Sequence, residues 1–167
     1  MKLLIASNNA HKVREIKEIL SDYFDEMVTL REAGLVIDVV EDGKTFMENA
    51  RKKATELRDI SGCACLADDS GICAHALDNA PGIYSARFAG EQGGHGDDEA
   101  NNDLLLEKLR DKDDRGAHYT CAMALVYPDG RLVSAEGYMY GTITEQRRGE
   151  RGFGYDPIFI PEGDVRT

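Results

Sequence analysis

Lys2-Leu3-Leu4-Ile5-Ala6-Ser7-Asn8-Asn9-Ala10-His11-Lys12-Val13-Arg14-Glu15-Ile16-Lys17-Glu18-Ile19-Leu20, near the start of the chain, decides its class. Lys2 to Ala6 reads as a short buried strand running into a polar turn at Ser7 to Ala10. Val13, Ile16, Ile19 and Leu20 then recur at helical spacing, with Lys12, Arg14, Glu15, Lys17 and Glu18 on the other face. Strand, polar loop and helix in that order are the opening of an α/β fold.

Working outward, Met27 to Leu30 and Val36 to Val40 read as strands, the second ending in Glu41-Asp42-Gly43. Thr45-Phe46-Met47-Glu48 is a capping box, in which the Thr hydroxyl accepts from the Glu48 N–H and the Glu48 carboxylate reaches back. The helix it opens carries Phe46, Ala50, Ala54 and Leu57 inward. Cys63 to Ala67 is a small-residue strand that stops at Asp68-Asp69-Ser70-Gly71, and apolar character resumes over Ile72 to Leu77. Pro81-Gly82 and the stretch from Gly90 to Gly96 read as loops. Asp97 to Arg110 reads as a helix with Leu104, Leu105 and Leu109 as its buried stripe. Ala117 to Tyr127, the turn Pro128-Asp129-Gly130, and Leu132 to Tyr140 form a hairpin. Ile158 to Ile160 resembles an inner strand, and the chain then stops at Thr167 without a closing helix.

With 167 residues, 42% of them hydrophobic, one domain is expected, with room for two lobes. A net charge of −11 disfavours a polyanion-binding surface, so no nucleic-acid polymer is expected as partner. No apolar run approaches membrane-spanning length and no signal-peptide core forms, which predicts a cytoplasmic protein with no membrane partner. Cys63, Cys65, Cys73 and Cys121 sit among small and apolar residues without C-x-x-C spacing, and read as reduced thiols rather than a zinc cluster.

Three stretches can carry chemistry. Ser7-Asn8-Asn9-Ala10-His11-Lys12 lies between a strand and a helix N-terminus, where backbone N–H groups and an ammonium suit phosphate; the competing reading is helix capping by Asn. Asp68, Asp69 and Glu41 stand at the ends of expected strands, where their carboxylates can converge on one Mg²⁺ ion; the competing reading is a solvated acidic turn. Phe153-Gly154-Tyr155-Asp156-Pro157 combines aromatic faces, a carboxylate and glycines that admit a ligand, so a purine can stack on Phe153; the competing reading is a core aromatic at a turn. Lys53, on the helix opened by Thr45, can extend towards phosphate.

Together these stretches resemble the inosine triphosphate pyrophosphatase family, the Ham1-like or XTP/dITP diphosphatases. Ser7-x-Asn9-x-x-Lys12, Glu41-x-Gly43-x-Thr45-Phe46-x-Glu48-Asn49-Ala50-x-x-Lys53-Ala54, and Ala67-Asp68-Asp69-Ser70-Gly71 followed by Pro81-Gly82-Ile83-Tyr84-Ser85-Ala86-Arg87 stand in the family's order, and Phe153 to Phe159 completes the set. The resemblance implies an elongated α/β fold with a long mixed sheet, two lobes around a nucleotide cleft, and a homodimer. It implies attack of water on the α-phosphorus of ITP, dITP or XTP with release of pyrophosphate. By position, Ser7, Asn9, Lys12 and Lys53 would hold the phosphates, Glu41 and Asp69 would bind Mg²⁺, Asp69 or Asp68 would activate water, and Ser70 would contact substrate. Phe153, Gly154, Tyr155 and Asp156 would receive the base. The family's C-terminal Lys and S-H-R segment do not occur before Thr167, so a C-terminal part of the domain is expected to be missing. The competing functions are a Maf-like nucleotide pyrophosphatase and a nucleotide-binding module without turnover.

Overall fold

Leu3, Leu4, Ile5 and Ala6 are all buried, as befits a parallel strand covered on both faces. They belong to β1 (Lys2–Ala6), which lies between β2 (Glu26–Thr29) and β3 (Ala64–Ala74) and pairs in parallel with both. In this computed structural model, which describes residues 1–7, 9–90, 96–149 and 152–167, the sheet has six strands. Its order is β2-β1-β3-β4-β5-β6, with β4 at Gly116–Val126, β5 at Leu132–Ile143 and β6 at Phe159–Pro161, antiparallel to β5. Among the described residues three α-helices accompany it: α1 (Ala10–Leu20), α2 (Phe46–Ser61) and α3 (Asp98–Lys108). The fold is a mixed α/β one.

The chain divides into two compact units, Met1–Asp69 with Ala122–Glu136, and Ser70–Cys121 with Gly137–Thr167. In the first, Ile16 of α1 closes over Leu3, Ile5, Ala64 and Leu66, with Met123 and Leu125 packed alongside. In the second, Leu105 and Leu109 pack with Ile72, Ile143, Tyr155, Ile158 and Phe159.

The capping box forms with one change. Thr45 Oγ accepts from Glu48 N at 3.1 Å, but the Glu48 carboxylate takes the N–H of Lys44 at 2.6 Å rather than that of the cap residue. Gly62 ends α2 in the left-handed region at φ 69°, donating its N–H to the Arg58 carbonyl, where a side chain would be strained.

Several expectations are corrected. Val36 to Val40 is not a strand: Val36 and Val40 are 102% and 68% exposed, and no ladder partner lies beside the segment among the described residues. β-branched residues do not make a strand where no neighbour accepts their hydrogen bonds. Cys63 to Ala67 does not stop at Asp68. β3 runs through Asp68-Asp69-Ser70-Gly71 to Ala74, so both acids sit within a strand rather than at its end. In α3, Leu104 is only half-buried, while Asn101 and Asn102 share the inner face with Leu105. Ile158 lies in a short 3-10 turn, and β6 is the outermost neighbour of β5 rather than an inner strand. Pro81-Gly82 leads into a 3-10 turn over Gly82–Arg87, and most of the Gly90 to Gly96 loop lies outside the described residues.

Candidate functional site

β1 ends at Ala6, paired with Ala67, so Asp68 and Asp69 continue β3 just past the point where β1 gives way to the loop leading into α1. Ligands of open α/β sheets bind outside such carboxyl ends. Successive strand residues point to opposite faces. Asp68 thus shares its face with Ala64 and Leu66, which α1 covers, and its Oδ2 meets Lys12 Nζ of α1 at 2.6 Å. Asp69 points the other way and accepts at Oδ2 from Asn49 Nδ2 of α2 at 2.9 Å.

Lys53 links the remaining parts. Its ammonium donates to the Asp68 backbone carbonyl at 3.0 Å and pairs with Glu41 Oε1 at 2.5 Å. Asn49 braces the same loop from the other direction, because its Oδ1 accepts the Gly43 N–H at 2.8 Å. The contact is close: a β-carbon on Gly43 would stand 2.6 Å from that oxygen, so only glycine fits. Two ammonium groups and three carboxylates are thereby gathered by α1, α2, the Glu41 to Gly43 loop and β3, all inside the first unit.

Asp69 is 9% exposed. Burial, above all, pushes its carboxyl above the ordinary range; the nearby Glu41 charge adds to this, while the Asn49 hydrogen bond and the Lys53 and Lys12 charges oppose it. A carboxylate so placed holds a proton more readily than a solvated one.

The N-terminal loop behaves as a cap. Asn9 Oδ1 accepts from His11 N at 2.9 Å and Lys12 N at 3.3 Å, and Ser7 Oγ accepts from Asn9 N at 3.2 Å. Capping orients the first turn of α1 and with it the Lys12 side chain. Ser70 is half-buried in β3, one residue beyond Asp69. Asn49 stands in the Glu41 to Ala54 motif without a role read from the sequence, although its place facing inward on a helix that otherwise buries apolar residues is the signal that marks it.

Phe153 to Asp156 belongs to the second unit. Phe153 is 38% exposed. Gly154 takes φ 59°, and its peptide is held at both ends by α3: its N–H donates to Asp98 Oδ2 at 2.7 Å and its carbonyl accepts from Asn102 Nδ2 at 3.0 Å. Asp156 Oδ2 accepts from Phe153 N at 3.0 Å. Tyr155 is a core residue, 5% exposed, with its hydroxyl donating to the Ser85 carbonyl at 2.7 Å. The Pro81 to Arg87 motif is structural in the same way: Ser85 Oγ takes the Ile72 N–H at 3.0 Å and donates to the Gly82 carbonyl at 2.6 Å. A β-carbon on Gly71 would stand 2.6 Å from that carbonyl, so β3 can run past this turn only with glycine there.

The profile of the Ham1 family matches residues 3–167. The chain belongs to the Ham1 family. Among Ham1 relatives, the dITP/XTP pyrophosphatase of Clostridium perfringens is 51% identical, over 96% of this chain and 82% of its own length. That of Streptomyces coelicolor is 46% identical over 99% and 84%. The structure of the Staphylococcus aureus Ham1 protein superposes with a TM-score of 0.88 at 40% identity, covering 100% of this chain and 84% of that one. A nucleoside-triphosphatase / dITP/XTP pyrophosphatase from Mycobacterium abscessus gives 0.84 at 44% identity, covering 100% and 87%. The six-stranded mixed sheet described above is therefore the Ham1 fold. Among the described residues, no helix is long and apolar enough to cross a membrane.

Proposed function

We propose that this chain is a nucleotide pyrophosphatase that hydrolyses dITP, XTP and ITP to the monophosphate and pyrophosphate with Mg²⁺. The Ham1 relatives named dITP/XTP pyrophosphatases match it over nearly its whole length at 51% and 46% identity. The observation that carries the reading to individual residues is the Lys53 bridge, which holds Glu41 beside the Asp68-Asp69 pair.

The donor set suits a hard divalent cation. Glu41 and Asp69 offer carboxylate oxygens, and the Glu41 charge opposes ionisation of the buried Asp69, which a cation would relieve. Among the described residues no group of three His, Cys, Asp or Glu forms a closed metal cage. Mg²⁺ commonly takes one or two protein carboxylates and completes its shell with water and substrate phosphate. When bound by Glu41 and Asp69, it would neutralise polyphosphate charge and acidify water.

The chain's own groups do the rest. Lys12 and Lys53 bring ammonium charge to the phosphates, and Ser7, Asn9 and Ser70 add polar donors beside them. Asp69, whose burial raises its proton affinity, accepts the proton of the attacking water, and Asn49 keeps its carboxylate oriented. Asp68, held by Lys12, stands next to it as a second acid. Water then attacks the α-phosphorus, the α–β anhydride bond breaks, and pyrophosphate leaves. Phe153, with the Gly154 peptide and Asp156, receives the purine base; Tyr155 supports them from the core. A site that donates to O6 of a 6-oxopurine leaves that donor facing an amino group when adenine enters, which is costly.

The test is direct. Incubation with ITP, dITP, XTP, ATP and dTTP plus Mg²⁺ should yield pyrophosphate from the first three, with ATP at least about a hundredfold slower in kcat/KM. Orthophosphate release, or a preference for dTTP, would overturn the reading. Assembly as a homodimer in the cytoplasm belongs to the same proposal, and sedimentation equilibrium checks the dimer.

A further inference from the structure

His75 follows directly on the last residue of β3, and His118 is the third residue of β4; both belong to the second unit. Their rings meet nitrogen to nitrogen, with His75 Nε2 standing 3.0 Å from His118 Nδ1 and the centroids 5.2 Å apart. Ala117 and Tyr119, on either side of His118 along β4, pack with Leu105 and Ile158, so His118 faces away from that core. Neither histidine has a part in the phosphate, Mg²⁺ or base groups described above.

Both rings are seated by their surroundings. Tyr140 and Tyr138 of β5 stand against the His118 ring at centroid distances of 5.4 and 6.0 Å. A β-carbon on Gly116 would lie 2.8 Å from His75 Nδ1, so the His75 ring keeps its place beside the start of β4 because residue 116 is glycine. As the pair stands, one ring nitrogen donates a proton and the other accepts it with its lone pair. A divalent cation can take the place of that proton. Two imidazole nitrogens 3.0 Å apart, each about 2.0–2.1 Å from one ion, subtend about 95° at it. That is close to the right angle of a square-planar or octahedral centre and well short of the tetrahedral angle of structural zinc. His75 is exposed and its terminal torsion is broad, so its ring can turn a lone pair onto the ion.

We infer that His75 and His118 form a two-imidazole binding site for a first-row transition-metal cation of the Ni²⁺ or Cu²⁺ class, sharing no residue with the Mg²⁺ carboxylates. Among the described residues no group of three His, Cys, Asp or Glu could hold a metal, so two protein nitrogens carry the site and water completes the shell. Imidazole suits such ions, whereas Mg²⁺ prefers oxygen ligands and keeps its water. Affinity therefore rises from Ni²⁺ to Cu²⁺ and is weakest for Mg²⁺. The inference goes beyond the proposed hydrolysis and does not rest on it.

The probe is Ni²⁺ alone, titrated calorimetrically into the full chain with Mg²⁺ in excess. One ion should bind per chain. His75 is exposed, so its replacement leaves the core untouched and carries the decision, while His118 is half-buried. His75→Ala should weaken Ni²⁺ binding by about tenfold or more, because the remaining imidazole loses the neighbour that made the second bond intramolecular. His118→Ala should do the same. Gly116→Ala, which removes neither ligand but displaces the His75 ring, should weaken binding by less. Joint replacement of the other two histidines, His11→Ala with His95→Ala, should leave the titration unchanged. Bound Cu²⁺ should show two nitrogen ligands by electron paramagnetic resonance in the wild type and one in His75→Ala. Ni²⁺ binding that survives His75→Ala undiminished, that vanishes with His11 and His95, or that Mg²⁺ displaces would overturn the inference.

Discussion

Asn49 joins two parts of the chain at once, donating to Asp69 Oδ2 at 2.9 Å and accepting from the Gly43 N–H at 2.8 Å. One side chain on α2 thus sets both the orientation of the buried acid and the path of the loop that carries Glu41. Asn49→Ala leaves the Gly43 N–H and one Asp69 oxygen without their partner, which should cost about 1–3 kcal/mol of stability. Asn49→Asp should cost more activity than Asn49→Ala, because it sets a third negative charge against Asp69 and Glu41. Urea unfolding and initial rates of pyrophosphate release measure the two effects; equal activity in Asn49→Asp and wild type would remove Asn49 from the site.

Asp69→Asn should lower kcat by about 10²–10⁴, the range of a lost general base, with an unchanged far-UV spectrum. Asp68→Asn should cost less, since Asp68 is engaged by Lys12 on the opposite face of β3. A larger loss from the Asp68 variant would reverse the assignment of the base.

Glu41→Gln should raise the Mg²⁺ concentration needed for half-maximal rate, and a chelator should abolish turnover of the wild-type enzyme. The motive is the pairing of Glu41 with Lys53 and its electrostatic effect on Asp69. A Mg²⁺ titration of the variant that superimposes on wild type would show that Glu41 is no ligand.

Tyr155 and Tyr119 should limit stability in alkali. Burial, chiefly, pushes both phenols well above the ordinary range. An unfolded tyrosine ionises near pH ~10, so each buried phenol contributes stability that is complete below that pH and falls away above it. The loss should approach about 1.4 kcal/mol per pH unit for each group. Tyr155→Phe should be less stable near neutrality by about 1 kcal/mol, through the lost bond to Ser85, yet lose stability less steeply above pH ~10. Parallel denaturation curves at pH 8 and pH 11 compare the slopes; identical slopes for variant and wild type would count against burial as the cause.

How much of this was written in the sequence depends on whether a residue's role is local. The capping box at Thr45, the apolar spacing of α1 and the turn at Pro128-Asp129-Gly130 are local, and each appears where expected. Val36 to Val40 failed because strand formation needs a neighbour, and no property of the five residues reports one. Asp68 and Asp69 looked like a strand end because charged residues seldom continue a buried strand. Here Lys12 and Asn49 reach them from two helices far away in sequence, so the strand tolerates both. Asn49 shows in the sequence as an inward-facing amide, but its partners do not, and Asp98 and Asn102 are illegible for the same reason: an amide or carboxylate on a helix reads as solvated until its partner in another segment is known.

Because the two acids occupy successive positions of an uninterrupted strand, their duties depend on counting parity. Inserting a single residue into β3 ahead of Asp68 would rotate the downstream half-turn of pleat and present each acid to the other's helix, whereas inserting a pair would restore the original facing. Length polymorphism at this spot should therefore be tolerated, if at all, only in even steps, and a deep insertion scan across Ala64 to Ala67 would display that alternation directly.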